Sequence, residues 1–264
     1  DRPKVEGAWP LAIAKTESKV LKEGTGEKVD KNATLKVNYV GVNGRTGKEF
    51  DSSYKRGTTA DFPLAQVVPG FAKGLVGKHQ GDRVLIMMPG SDGYDSQGGA
   101  PQAGIMKGDS LIFVVDIVAI PLPKATGETV KPAAGLPTVK EVQGAPAVTI
   151  GKATKPNKLV VQPLIKGKGA AVTAHDSIDV KYRTYAWSSG ELIEDGYSAE
   201  PVTGSMNSVI PGWKKGLIGQ TVGSRVMLIV PPADAYPNGS TNPPVKKGET
   251  LIYVIDILSA QKES

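Results

Sequence analysis

The sequence predicts an α+β protein made of two tandem domains, each an antiparallel β-sheet wrapped around one short α-helix. Three observations carry that expectation. A set of motifs occurs twice in the same order, about 140 residues apart. Within each copy, apolar and β-branched runs of strand length dominate. One segment per copy, bounded by Pro and Gly, has the punctuation of a brief helix.

The duplication sets the domain plan. Leu35-Lys-Val-Asn-Tyr39 returns as Ile178-Asp-Val-Lys-Tyr182, with the tyrosines 143 positions apart. Val67-Val-Pro-Gly-Phe-Ala-Lys-Gly-Leu75 returns as Val209-Ile-Pro-Gly-Trp-Lys-Lys-Gly-Leu217 at an offset of 142. Gly81–Ile86 and Lys107–Ile117 return as Gly223–Leu228 and Lys247–Ile257. A slow drift over so long a period marks a duplicated domain, since solenoid repeats are only about 20–45 residues. The first domain is therefore expected over 1–120, with an N-terminal arm over 1–18, and the second over 158–264. Between them, 121–157 is rich in Pro, Gly, Ala, Lys and Thr and reads as a linker. Its part from Leu136 to Ile150 carries enough apolar residues to pack on the second domain as a leading strand, as Val5 to Ala14 would on the first.

Element by element, Leu35–Val40 alternates apolar and polar, as a strand with one wet face should. Pro69 suits a first helical turn, and Gly74 and Gly77 keep the helix over Pro69–Val76 short. Arg83–Met88 and Leu111–Ile117 are apolar and β-branched enough for central strands. The long stretches Gly90–Met106 and Pro231–Gly248 are rich in Gly, Pro, Asp and Ser, and loops of that length in a compact domain often serve function.

Composition removes several function classes. The 32 basic and 26 acidic residues are interspersed, without the Lys/Arg blocks that would track a phosphate backbone, so no nucleic-acid partner is expected. No apolar run approaches the ~20 residues of a membrane span. There is no cysteine, and the two histidines, His79 and His175, lie far apart, so neither metal nor cofactor is expected. Gly93–Gly104 lacks the Gly-Lys-Ser/Thr ending of a phosphate loop.

Taken in order, Val37-Asn-Tyr-Val-Gly41, Gly47-Lys-Glu-Phe-Asp-Ser-Ser53, Val67-Val-Pro-Gly-Phe71, Gly81-Asp-Arg83 and Gly108-Asp-Ser-Leu-Ile-Phe113 resemble the FKBP family of peptidyl-prolyl cis–trans isomerases. The resemblance spans about 19–120 and, with more departures, about 158–260. It implies two tandem FKBP-like domains, isomerase activity on X-Pro bonds, proline-containing polypeptides as partners, macrolides as further ligands, and a monomer. In the first copy it implies a pocket of Tyr39, Phe50, Asp51, Val67, Val68, Phe71, Tyr94, Ile105 and Phe113. The family's floor is usually Trp and here is Phe71; a further aromatic wall position falls on Ala60, with Phe62 close by. In the second copy the matching residues are Tyr182, Ile193, Glu194, Val209, Ile210, Trp213, Tyr236, Val245 and Tyr253. There the Phe-Asp pair has become Ile-Glu, so the first domain is the expected active one. The alternative is a non-catalytic proline-binding chaperone or scaffold module, the second domain above all. Without the ordered pattern, strand aromatics would read as core and Asp51-Ser52-Ser53 as a turn or helix cap. Tandem domains of this type resemble bacterial extracytoplasmic folding factors. The start at Asp1 fits a processed, exported chain, with a tether through a removed N-terminal segment and a cytoplasmic home both left open.

Overall fold

A computed structural model describes residues 1–263, which fall into two compact units, Asp1–Pro121 and a second from Leu122 onward. In the first unit, strands β1 (Glu17–Lys22), β2 (Thr34–Asn43), β3 (Glu49–Ser52), β4 (Ala60–Pro63), β5 (Arg83–Met88) and β8 (Leu111–Ala119) form one antiparallel sheet. Its order is β1-β5-β8-β2-β3, with β4 also on β2. A small ribbon of β6 (Gly99–Ala100) and β7 (Ile105–Met106) punctuates the long loop before β8. Two helices complete the unit, a single turn α1 (Ser53–Arg56) and α2 (Pro69–Leu75).

Strand alternation divides the sheet into two faces. Leu35, Val37 and Tyr39 of β2, Val84, Ile86 and Met88 of β5, and Leu111, Phe113, Val115 and Ile117 of β8 form one core with Phe71 and Leu75 of α2. The helix lies very close to the sheet because its inner face is glycine: a Cβ on Gly74 would stand 2.8 Å from Ile86 Cδ1. On the opposite face, Val40, Val42, Ile112, Leu85 and Met87 are covered by Val5, Trp9 and Leu11 of the arm. The arm packs without becoming the expected strand. Pro3 and Pro10 lack the N–H a ladder needs, and the arm is held by isolated bonds, Leu11 N–H to Gly44 O at 2.8 Å and Ile13 N–H to Ser110 Oγ at 2.9 Å.

The second unit repeats the plan with β12 (Val160–Lys166), β13 (Asp176–Ala186), β14 (Leu192–Asp195), β15 (Val202–Ser205), β16 (Arg225–Val230), β17 (Leu251–Lys262) and α3 (Pro211–Leu217). Its sheet order is β14-β13-β17-β16-β12, with β15 on β13. Gly216 again brings helix to sheet, its virtual Cβ 2.6 Å from Leu228 Cδ2.

The segment read as a linker, with Leu136 to Ile150 packed on the second domain, lies within this unit from Leu122 onward. Leu122 and Thr126 donate N–H bonds to Leu258 O and Gly223 O, both at 2.8 Å. The short strand β9 (Glu128–Thr129) extends the sheet edge on β12. β10 (Thr138–Val142) and β11 (Ala145–Thr149) form a hairpin. Its turn uses Gln143 and Gly144, both at positive φ (52° and 80°), the geometry a tight two-residue hairpin demands. Leu136, Val139, Val148 and Ile150 then cover Met227, Ile229, Ile252 and Val254 on the outer face of the sheet.

Candidate active site

The edge of β2 in the first unit is shared by two strands, and the gap between them makes the site. β3 pairs with Val40–Val42 and β4 with Thr34–Val37, and the chain bulges outward between them through α1. At the start of β3 the register jumps, Val42 facing Glu49 while Gly41 faces Asp51, so Phe50 is left unpaired. Such a bulge re-aims side chains: consecutive Phe50 and Asp51 both reach one cleft. The cleft measures about 260 Å³ and is lined by Tyr39, Phe50, Asp51, Phe62, Gln66, Val67, Val68, Phe71, Tyr94, Gln97 and Phe113.

Its rings are mutually braced. Phe71 lies 4.6 Å from Phe113 and 4.7 Å from Phe62, and Phe50 meets Phe113 edge-on at 5.6 Å and 88°. Tyr39 stands 5.2 Å from Phe62. Gly41 makes room for them, since a Cβ there would sit 2.8 Å from both Phe113 Cε1 and Phe50 Cζ.

One charge sits at the rim. Asp51 accepts hydrogen bonds from the Tyr39 hydroxyl, from Arg56 Nη1 and, at 2.7 Å, from the Ser52 N–H. Arg56 Nη2 also donates to the Tyr39 hydroxyl at 3.0 Å. Burial pulls the Asp51 carboxyl upward, but the bonds from Tyr39 and Arg56 outweigh it and hold the group below the usual carboxylate range. Burial first, then the bond to Asp51, push the Tyr39 hydroxyl up to about 12. Tyr94 is raised as well, by burial and then by the Asp51 charge. Two donors are left over: among the described residues neither the Tyr94 hydroxyl nor the Val68 N–H has a hydrogen-bond partner.

Eight of the nine residues singled out in the first copy therefore line one cleft. Ile105 does not; it is 2 % exposed and belongs to the core. The wall position assigned to Ala60 is filled by Phe62 of β4, which stands opposite Leu35 of β2 and packs into the core. The sequence marks Phe62 only as a neighbour of Ala60 and Gly41 only as part of a motif, while Arg56, Gln66 and Gln97 escape the sequence reading; nothing in the sequence points to Gln66 or Gln97.

The second unit assembles a related but altered pocket. Trp213 meets Tyr182 edge-on at 5.0 Å and Tyr253 at 5.4 Å. Ile193, Val209, Ile210 and Tyr236 pack around them half-buried, while Val245 is core like Ile105. Ile193 is the unpaired residue of the same bulge. Where Gly41 stands in the first unit, Thr184 stands here, opposite Tyr253 and Glu194, and its hydroxyl donates to Glu194 Oε2 at 2.8 Å. Tyr182 donates to Glu194 Oε1 at 3.3 Å. Gly204, opposite Ile178, replaces Phe62, opposite Leu35.

The model of the FKBP-type peptidyl-prolyl cis–trans isomerase family matches residues 25–118 and again 168–258. The chain belongs to that family. It is a tandem FKBP-type isomerase, and its family acts on proline-containing peptides. A FK506-binding protein of Streptomyces anulatus is 36 % identical over 122 residues, covering 46 % of this chain and 98 % of that protein. FkpA of Escherichia coli K12 is 36 % identical over 107 residues, 40 % of this chain and 38 % of FkpA. Mip of Coxiella burnetii is 36 % identical over 39 % of this chain and 43 % of its own length. The chain thus spans nearly the whole of the first relative but under half of FkpA or Mip. Among solved structures, the three FKBP domains of wheat FKBP73 align over 94 % of this chain and 95 % of that chain at 18 % identity, with a TM-score of 0.39.

Proposed function

We propose that the first cleft carries the isomerase turnover of this chain, while the second pocket chiefly holds proline-containing segments. The observation that carries this reading is an aromatic cleft with two unclaimed donors, the Tyr94 hydroxyl and the Val68 N–H, and a charge already neutralised by Arg56. Rotation about an X-Pro bond faces a barrier of about 18–20 kcal/mol, because it breaks amide resonance. No nucleophile is needed; the protein must favour the twisted amide over the planar one. A twisted amide has less charge separation, so an apolar ring-lined cavity stabilises it relative to water, at tenfold in rate per about 1.4 kcal/mol.

In this scheme the prolyl ring rests on Phe71 and Phe113 with Phe50 and Phe62 at its sides. Tyr94 and the Val68 N–H hold the flanking carbonyls, so the peptide is gripped on both sides of the rotating bond. Asp51 transfers no proton; held ionised by Tyr39 and Arg56, it fixes the Tyr39 wall. A volume of about 260 Å³ suits a prolyl ring with its adjoining peptide units, and a macrolide would have to use the same rings from outside. The second pocket loses the Phe50 and Phe62 rings to Ile193 and Gly204, which leaves less apolar wall for catalysis. Location outside the cytoplasm fits a chain without cysteine, which oxidising surroundings cannot cross-link. Cell fractionation of the protein expressed from its own gene tests that.

The deciding experiment follows cis–trans exchange of a short X-Pro peptide by NMR in the intact chain, in Phe71→Ala and in Trp213→Ala. Loss of exchange in Phe71→Ala alone is the expected result. Equal losses, or loss only in Trp213→Ala, would overturn the division of labour.

A further inference from the structure

The second pocket differs from the first most sharply in its charge. In the first, Asp51 is closed off by the Arg56 guanidinium, which also lies 5.6 Å over the Tyr39 ring. The corresponding stretch of the second unit, Tyr197-Ser-Ala-Glu-Pro-Val202, holds no basic residue and adds Glu200. The α1 turn that carries Arg56 has no counterpart there.

Glu194 consequently has two neutral donors, Tyr182 and Thr184, and no ion-pair partner among the described residues. It is half-buried beside three tyrosines, two of which pack on Trp213, and its charge is felt by Tyr182, Tyr236 and Tyr253, whose hydroxyls are all raised, first by burial and in part by Glu194. A partly buried carboxylate without a counter-ion is costly, and the cost is relieved by any ligand that brings a cation. The rings next to it, two pairs edge-to-face and one tilted, present π-faces at differing angles, an arrangement that can hold a cation. Space exists as well: the Phe62 ring is replaced by Gly204, whose virtual Cβ would meet only Val209 Cγ1, at 3.8 Å.

We infer that the second pocket recognises a lysine or arginine side chain adjacent to proline in an extended peptide, with Glu194 as counter-ion and Trp213, Tyr182 and Tyr253 as the aromatic surround. This rests on the reading of the second unit as a binding module. It makes the tandem chain an enzyme with a charge-selective second grip, which retains basic X-Pro segments on the same chain as the turnover site.

Trp213 supplies a local probe, because the first cleft contains no indole. In the full chain, its Nε1–H resonance, assigned with Trp213→Phe, is titrated with Ala-Lys-Pro-Phe and with the norleucine isostere. The lysine peptide should bind about tenfold tighter, the order expected of one partly desolvated cation contact. That advantage should vanish in Glu194→Gln and in Ala199→Arg, which returns a guanidinium to the region, and should shrink with added salt. Equal affinity of the two peptides, or a preference that survives Glu194→Gln, overturns the charge selectivity while leaving a proline-binding pocket in place. No response of Trp213 to either peptide overturns the binding reading itself and the inference with it.

Discussion

Gly41 couples the packing of the first cleft to its activity, and Gly41→Ala tests that coupling. The added methyl would stand 2.8 Å from Phe113 Cε1 and 2.8 Å from Phe50 Cζ, against about 3.5–4.0 Å for an ordinary carbon contact. Phe113 is 2 % exposed and backed by Phe71 at 4.6 Å, so it has nowhere to go. Phe50 is half-buried at the rim and can yield only by turning into the cleft. Overpacking of this kind costs about 1–3 kcal/mol, which should lower the unfolding midpoint of the first unit by roughly 5–10 °C. The displaced ring occupies the prolyl site, so kcat/KM should fall about thirtyfold, equivalent to about 2 kcal/mol. Adding Phe50→Ile should recover about 1 kcal/mol of stability beyond additivity, because the clash is removed, yet leave activity low, because the wall is gone. Thermal unfolding and peptide exchange on the four members of this cycle give both readouts. Wild-type stability and activity in Gly41→Ala, or strictly additive stabilities, would refute the packing argument. The second unit already carries the compensated pair, Thr184 with Ile193, so Ile193→Phe alone should clash there and not create a first-type wall.

Tyr94→Phe removes a hydroxyl with no partner among the described residues, so stability should stay within about 0.5 kcal/mol while kcat/KM drops about tenfold; unchanged exchange rates would remove Tyr94 from the scheme. Arg225 grips Asp256 at 2.6 and 2.8 Å, and that carboxylate is 1 % exposed. Arg225→Met should therefore cost about 3–5 kcal/mol by urea unfolding. Arg83→Met should cost far less, because in the first unit Arg83 and Asp116 are 27 % and 25 % exposed. Asp109 is lowered from 3.8 to about 2, first by the Arg45 bond, against some burial, with Asn43 and the Met106 N–H adding to the effect. A depressed carboxylate stabilises the fold above its unfolded value and loses that contribution as pH falls from about 4 through about 2. Since Arg45 is 43 % exposed, the amount is about 1 kcal/mol. Acid unfolding of Asp109→Asn should be correspondingly flatter in that window.

The parts of the fold that could be read from residues alone are those where one local feature has one structural meaning. Pro69-Gly-Phe-Ala-Lys-Gly-Leu75 was legible as a helix because proline starts it. Its glycines have a reason visible only in three dimensions, the approach to Met88 and Ile86. Strand β2 announced itself by alternation, and β5 and β8 by their apolar, β-branched runs. The segment from Leu136 to Ile150 reads as a single leading strand; its hairpin form over 138–149 is not legible, because Pro, Gly and Lys dilute its apolar positions and it bonds only to itself before packing. In the site, residues on the recurring motifs came out together, whereas Phe62 depended on the β2–β4 register, which a single sequence does not display. Ile105 sits one position before the exposed Met106, and only the ribbon geometry decides which of the two turns inward.

Each sheet has its outer apolar face shielded by chain that precedes it: the arm over 1–13 for one, the hairpin over 138–149 for the other. The transplantable module is therefore longer than the repeated motifs, and its extra length lies entirely upstream. A second module excised at residue 158 would present Met227, Ile229, Ile252 and Val254 as a bare adhesive surface. One excised at 122 would carry its own shield. The two shields share no sequence pattern, so duplication preserved the demand for a cover and left its design free.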